Sequence, residues 1–169
     1  HVNMSQSTND VFPTGIHVMC AMLVRDKLMP NLDKLILELT KIQKPLMKLV
    51  KVGRTHLQDA TPISLGQEIS AWVEMLKYAK AMIIDSLKYI DQLPLGGTAV
   101  GTGLNTPKDF DKLACAELSK MTGIKFVPMV NKFHGLSSKD ACSFFSGALK
   151  VLAESLYKIA NDIRWLASG

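Results

Sequence analysis

Apolar residues recur along this chain at helical intervals, in four blocks separated by polar segments. In the first block, read as helical from Pro13 to Lys51, Leu32, Leu35, Leu39, Ile42, Leu46 and Leu49 are spaced 3, 4, 3, 4 and 3 apart. That alternation lays one stripe along a helix, close to the coiled-coil period. Pro30 and Pro45 fall inside the block. Each lacks the N–H that a helix interior needs, so breaks or kinks are expected there. The second block, Leu65 to Leu93, carries Ile69, Val73, Leu76, Ile83, Leu87 and Ile90 on one face. A shorter helix is predicted over Lys108 to Thr122, with Gly123 as its stop. The fourth runs from Ser137 to Ala167, where Phe145, Leu149, Leu152, Leu156, Ile159, Ile163 and Leu166 again alternate by 4 and 3. No block alternates with the period of a half-buried strand, and the short stretch Ile124 to Val130 holds Pro128 and reads as loop. The expected fold class is all-α, a bundle of long helices forming one domain over residues 1–169. Helices of about 30 residues are roughly 45 Å long. They are long for a domain of this size and suit a bundle that also packs against other chains.

The 169 residues are 47% hydrophobic and 21% charged, a globular balance that argues against disorder. No run approaches the roughly 18 apolar residues of a membrane-spanning helix; the best candidate, Val11 to Val24, holds Pro13, Gly15 and His17. Lys and Arg number 20 and Asp and Glu 15, a net charge of +5. No basic cluster stands behind that charge, so it reads as solvated surface that tolerates anionic ligands, not as a nucleic-acid footprint. Cys20, Cys115 and Cys142 are widely spaced and form no CxxC. A reducing compartment fits them better than a disulfide framework. The chain starts at His1 without a signal-peptide pattern and stops directly after an amphipathic run, so both ends read as cuts through a larger protein.

Three polar segments carry the candidate chemistry. Asn3 to Asp10 precedes the first apolar block. Ser, Thr, Asn and Asp there are helix N-cap residues, which accounts for one or two of them. A helix start also offers free N–H groups and a partial positive charge, and Ser7, Thr8 and Asn9 beside it suit a carboxylate. Gly53 to Pro62 contains His56, the one histidine within such a polar segment, which is able to take and return a proton near neutrality. Thr55 and Gln58 flank it as candidate orienting groups, while Arg54 and Asp59 are placed to pair and hold the segment. An isolated histidine is more often a plain surface or packed residue. His17 lies in an apolar stretch and reads as packed, and His134 before Gly135 reads as a loop residue. Leu95 to Asn105 is glycine-rich, but it has neither the GxGxxG order after a strand nor a GK[ST] ending. It reads as tight turns with close backbone approach. No metal-spaced His/Cys set, paired catalytic carboxylates or nucleophile elbow occurs, so no metal or cofactor is expected.

These segments, Asn3-Met4-Ser5-Gln6-Ser7-Thr8-Asn9-Asp10, Gly53-Arg54-Thr55-His56-Leu57-Gln58-Asp59-Ala60 with Pro62, and Gly96 to Asn105, together resemble the fumarase/aspartase superfamily. The ending Ala160-Asn161-Asp162-Ile163-Arg164 fits as well, so the resemblance covers essentially the whole chain. Within the superfamily it is most similar to the metal-free class II fumarases. Aspartate ammonia-lyases typically carry Gln where this chain has His56, Gly at Ser5 and Ala at Gly97, and Asn131-Lys132-Phe133 also fits the fumarases better.

The resemblance implies a hydro-lyase of the tricarboxylic acid cycle that reversibly hydrates fumarate to (S)-malate through an aci-carboxylate intermediate. It implies that Thr55 and His56 meet substrate or active-site water, with His56 in an acid/base role, and that Ser7, Thr8 and Asn9 bind a substrate carboxylate. It implies the central helical domain of a homotetramer whose active sites each gather segments from three subunits. The family's GSSxMPxKxN loop, source of the proton-abstracting serine, has no counterpart in residues 1–169. The piece alone is therefore expected to be inactive. Two competing readings remain at this stage: an aspartase-like lyase, for which His56 is the discriminator, and a non-catalytic helical assembly module whose polar segments only cap helices.

Overall fold

Ser7 opens the first helix. Its hydroxyl accepts the Asn9 N–H at 3.2 Å, and the Asp10 carboxylate accepts the Ser7 N–H at 2.9 Å. This reciprocal cap starts α1 (Thr8–Leu23) inside the polar segment, ahead of Pro13. The structure, a computed structural model, describes residues 1–168. The break expected at Pro30 is instead a π-helical turn, Val24–Leu28, just before α2 (Met29–Leu46). Pro30 has no N–H to offer the Asp26 carbonyl, and the wider turn falls where that bond is missing. Pro45 sits in the last turn of α2, which ends one residue later.

Next comes an antiparallel hairpin, β1 (Val50–Thr55) and β2 (Gln58–Ser64), in register from Val50↔Ser64 to Thr55↔Gln58. This corrects the expectation of no strands. The hairpin buries only Ser64 fully, so no apolar/polar alternation marks it. Ser64 and Gln67 then form a second reciprocal cap, at 2.8 and 3.1 Å, and α3 (Leu65–Ile90) follows. Two-residue strands β3 (Gln92–Leu93) and β4 (Val127–Pro128) pair in parallel, so the segment read as loop from Ile124 to Val130 is extended in part. Between them α4 (Phe110–Thr122) is closed by Gly123 in the left-handed conformation, φ 71°. The fourth predicted helix is α6 (Asp140–Leu166), and a short helix not predicted from the sequence, α5 (Lys132–Ser137), capped by Asn131, precedes it. His134 therefore lies on a helix and not in a loop.

The chain forms two compact units: His1–Leu28 with Ile84–Gly147, and Met29–Ile83 with the residues from Ala148 onward. In the first, Ala21, Val24, Ile90, Leu93, Cys115 and Phe126 are buried; in the second, Leu32, Trp72, Val73, Leu76, Ile83 and Leu152. The Trp72 indole N–H donates to Asp162 at 2.8 Å, tying α3 to α6 within the second unit. Of the predicted face of α3, Ile69, Val73, Leu76, Ile83 and Ile90 are buried, the last three completely, and Leu87 is half-buried. The other stripes are buried only in part: Leu35, Ile42 and Leu49, and on α6 Leu156, Ile163 and Leu166, are exposed. Among the described residues no helix is long and apolar enough to cross a membrane. The three cysteines are free thiols, and burial pushes the Cys115 thiol up to about 11.

His17 is packed as expected, 3% exposed, with Nδ1 2.8 Å from the Ile90 carbonyl oxygen and 2.9 Å from that of Gln92. Carbonyls only accept, so Nδ1 carries the proton. Burial lowers its pKa below the usual 6.5, outweighing the two carbonyls that favour the charged form; Lys139 acts with burial and Asp140 against it. The folded state thus keeps His17 neutral while the unfolded chain protonates below that value. This contribution to stability is full above pH 6.5 and is lost as pH falls through the window beneath it. The expected result is a urea midpoint that declines from about pH 7.5 toward 5, with a shallower decline in His17→Gln. Identical slopes for the two proteins would contradict a buried neutral imidazole.

Candidate functional site

Asp10 organises the first candidate cluster. It is 0% exposed. Besides the Ser7 N–H, its carboxylate accepts the Gly96 N–H at 3.0 Å and the Thr98 N–H at 2.9 Å. The glycine-rich segment is thereby fixed to the start of α1. Asn9 adds a second tie, donating from Nδ2 to the Ala99 carbonyl at 2.7 Å. The capping reading thus accounts for the Ser7 side chain as acceptor, and Asn9 braces the neighbouring turn. Thr8 is exposed, and neither its N–H nor its hydroxyl has a partner among the described residues. A cavity of about 510 Å³ is lined by Met4, Ser5, Gln6, Thr98, Leu104 and Asn105 among others.

The turn needs glycine where the backbone is left-handed and crowded. Gly101 has φ 101°, and a Cβ there falls 2.7 Å from Phe133 Cδ1 and 3.1 Å from Phe133 N. Gly101→Ala is expected to cost about 1–3 kcal/mol, read as a lowered thermal midpoint. An unchanged midpoint would show that this segment is not held as described.

Thr55 and His56 are in the other compact unit, at the tip of the β1–β2 hairpin. The two turn residues both have positive φ, 53° at His56 and 61° at Leu57, as a two-residue hairpin turn requires. Asn and Gly usually supply that geometry; here a histidine and a leucine do, and both are exposed. Backbone held in this region by bulky residues is characteristic of functional segments. The His56 ring has no hydrogen-bond partner among the described residues. Arg54 and Asp59 do pair, Nε to Oδ1 at 3.3 Å, in the structural role expected of them. Behind the tip, a cavity of about 530 Å³ is lined by Arg54, Thr55, Glu68, Lys158, Asp162 and Trp165 among others. The structure therefore brings Ser7, Thr8 and Asn9 together with the glycine-rich turn, and places Thr55 and His56 together on a separate unit.

Three groups escaped the sequence reading. Asp10 reads in the sequence only as one of several capping residues, although the Ser7-x-x-Asp10 spacing is that of a reciprocal cap. Lys132 and Asp111 form a half-buried ion pair at 3.1 Å. Burial pushes the Asp111 carboxyl up, but Lys132 and the Lys112 N–H outweigh it and hold it below the ordinary carboxylate range. His134 Nε2 lies 2.8 Å from Asp140 Oδ2, and that hydrogen bond holds the Asp140 carboxyl below its ordinary range. No sequence spacing announces the last two pairs. Among the described residues no group of three or more His, Cys, Asp or Glu is placed to hold a metal ion.

A family model described as a lyase matches residues 1–169. The chain is 51% identical over 168 residues to the class II fumarate hydratase of Helicobacter pylori strain J99, covering 99% of this chain and 36% of that relative. It is 52% identical over 168 residues to the class II fumarate hydratase of Bacillus subtilis strain 168, with the same coverage of 99% and 36%. The chain thus spans about 36% of the length of these curated relatives. Among solved structures, a class II fumarase from Schistosoma mansoni superposes with a TM-score of 0.98 at 40% identity, covering 100% of this chain and 38% of that one. A fumarate lyase:delta crystallin from Brucella melitensis superposes with a TM-score of 0.94 at 38% identity, covering 99% of this chain and 36% of that one.

Proposed function

Because the chain belongs to the lyase family whose model spans residues 1–169, we propose that the protein carrying it is a class II fumarate hydratase, which adds water reversibly to fumarate to give (S)-malate. The observation that carries this reading is the 51–52% identity to proteins of that name over 99% of the chain. The geometry supports it with two polar clusters suited to a dicarboxylate. At the α1 start, Thr8 offers an unpaired N–H and hydroxyl, and Ser7 keeps a hydroxyl proton to donate. Neutral donors at a helix N-terminus stabilise the extra charge a carboxylate gains when the neighbouring carbon loses its proton. In malate dehydration that electron pair is held as an aci-carboxylate. It then forms the double bond as the hydroxyl on the next carbon takes a proton and leaves as water. His56, exposed and unpartnered at its hairpin tip, is assigned the acid/base role, with Thr55 orienting substrate or water. No cofactor or metal enters this scheme.

We read residues 1–169 as one central helical domain, since α3 and α6 each contribute residues to both compact units. The exposed halves of the α2 and α6 stripes fit a homotetramer in a cytoplasmic or matrix compartment. In such an assembly the Ser7–Asn9 and Thr55–His56 clusters of one chain need not face the same substrate. The test is a paired absorbance assay at the fumarate band, offering the full-length protein (S)-malate in one cell and L-aspartate in the other. Fumarate from malate alone is expected; fumarate from aspartate alone would move the protein to the ammonia-lyases. Residues 1–169 by themselves, without a GSSxMPxKxN segment, are expected to give no fumarate. Turnover by that piece at a full-length rate would overturn the need for the serine loop.

A further inference from the structure

Asp10 has a bonding pattern that closing a helix does not require. A capping residue needs to accept one or two N–H groups of its own helix. Asp10 accepts one there, from Ser7, and spends its other oxygen on Gly96 and Thr98 of a segment far along the chain. The next residue in each strand of the chain completes a ring. Thr98 leads to Ala99, whose carbonyl accepts the Asn9 carboxamide at 2.7 Å, and Asn9 leads back to Asp10. The ring fixes which way the Asn9 amide faces and where the α1 start sits. Thr98 is held at φ 56°, a conformation unfavourable for a β-branched residue, directly at the bond to Asp10. Only an acceptor with two oxygens and no hydrogens serves all three N–H groups.

We propose that Asp10 is a positioning residue for the hydration reaction. Through this ring it holds the Thr8 N–H and hydroxyl, the Ser7 hydroxyl and the Asn9 side chain in register for a substrate carboxylate. The inference rests on the fumarate hydratase reading and deepens it. Asp10 itself does not touch substrate, being fully buried. An asparagine in its place turns an NH2 toward at least one of the three donors, which releases the turn and lets the carboxylate-binding groups drift.

The test is steady-state malate kinetics on the full-length protein, comparing wild type, Asp10→Asn, Asp10→Ser and, as a control, Leu76→Ala in the core of the other unit. A purely structural loss lowers the folded fraction, and with it the apparent kcat, while KM stays put. Loss of positioning raises KM by about tenfold or more, beyond what the folded fraction explains. The expected result is that KM rise in Asp10→Asn, and in Asp10→Ser if the first does not fold, with KM unchanged in Leu76→Ala. An unchanged KM in folded Asp10 variants would overturn the proposal. So would failure of both to fold beside a folded Leu76→Ala, since Asp10 would then be a stability residue only. A wild type that does not convert malate would sink the hydratase reading first, and the positioning role with it.

Discussion

His56→Asn in the full-length protein is expected to lower kcat for malate dehydration on the order of 10²-fold to 10⁴-fold, the usual contribution of a general acid or base. The choice of asparagine isolates chemistry from folding. His56 has φ 53°, a conformation that asparagine tolerates better than most residues, whereas alanine adds backbone strain. The ring is exposed and has no protein hydrogen-bond partner among the described residues. Its removal should therefore change unfolding free energy by no more than about 0.5 kcal/mol. The expected pattern is a thermal midpoint close to wild type with kcat collapsed. A variant that keeps wild-type kcat would remove His56 from the proton-transfer role and leave the hairpin tip a structural turn.

Leu76→Ala is expected to destabilise the fold by about 2–5 kcal/mol, the range for a buried leucine whose cavity the surroundings fill only partly. Leu76 is completely buried, on the α3 face that also carries Val73 and Ile83. Helix packing there is tied by the Trp72–Asp162 bond, which limits how far the wall can collapse into the space left. Urea unfolding followed by circular dichroism reads the effect as a lowered midpoint with an unchanged slope. A loss under about 1 kcal/mol would mean that α3 is not the packed centre of its unit.

The helices were legible because long amphipathic periods survive small errors at their ends. The α3 face is buried at Ile69, Val73, Leu76, Ile83 and Ile90 and half-buried at Leu87, and Gly123 stops α4. The α2 and α6 stripes were also legible as patterns, yet half of each is exposed in the single chain. Periodicity reports that a face is apolar and not what covers it. The hairpin was missed for the opposite reason. An exposed two-stranded ribbon with Gly53 at a register irregularity and Pro62 in its second strand leaves no alternation to read. The candidate site was partly legible. Small polar residues before a helix pointed to Ser7, Thr8 and Asn9, and a lone polar-segment histidine to His56. What spacing cannot encode is partnership across sequence distance. Asp10 meets Gly96 and Thr98, and Lys132 meets Asp111, only once the chain has folded.

The most direct test of the central claim offers fumarate, water and ammonium ions to the full-length protein in one tube and reads the product by proton NMR. A fumarate hydratase forms malate and no aspartate, and His56→Asn abolishes most of that flux. Aspartate as the product, or fumarate left unconsumed, would contradict the assignment.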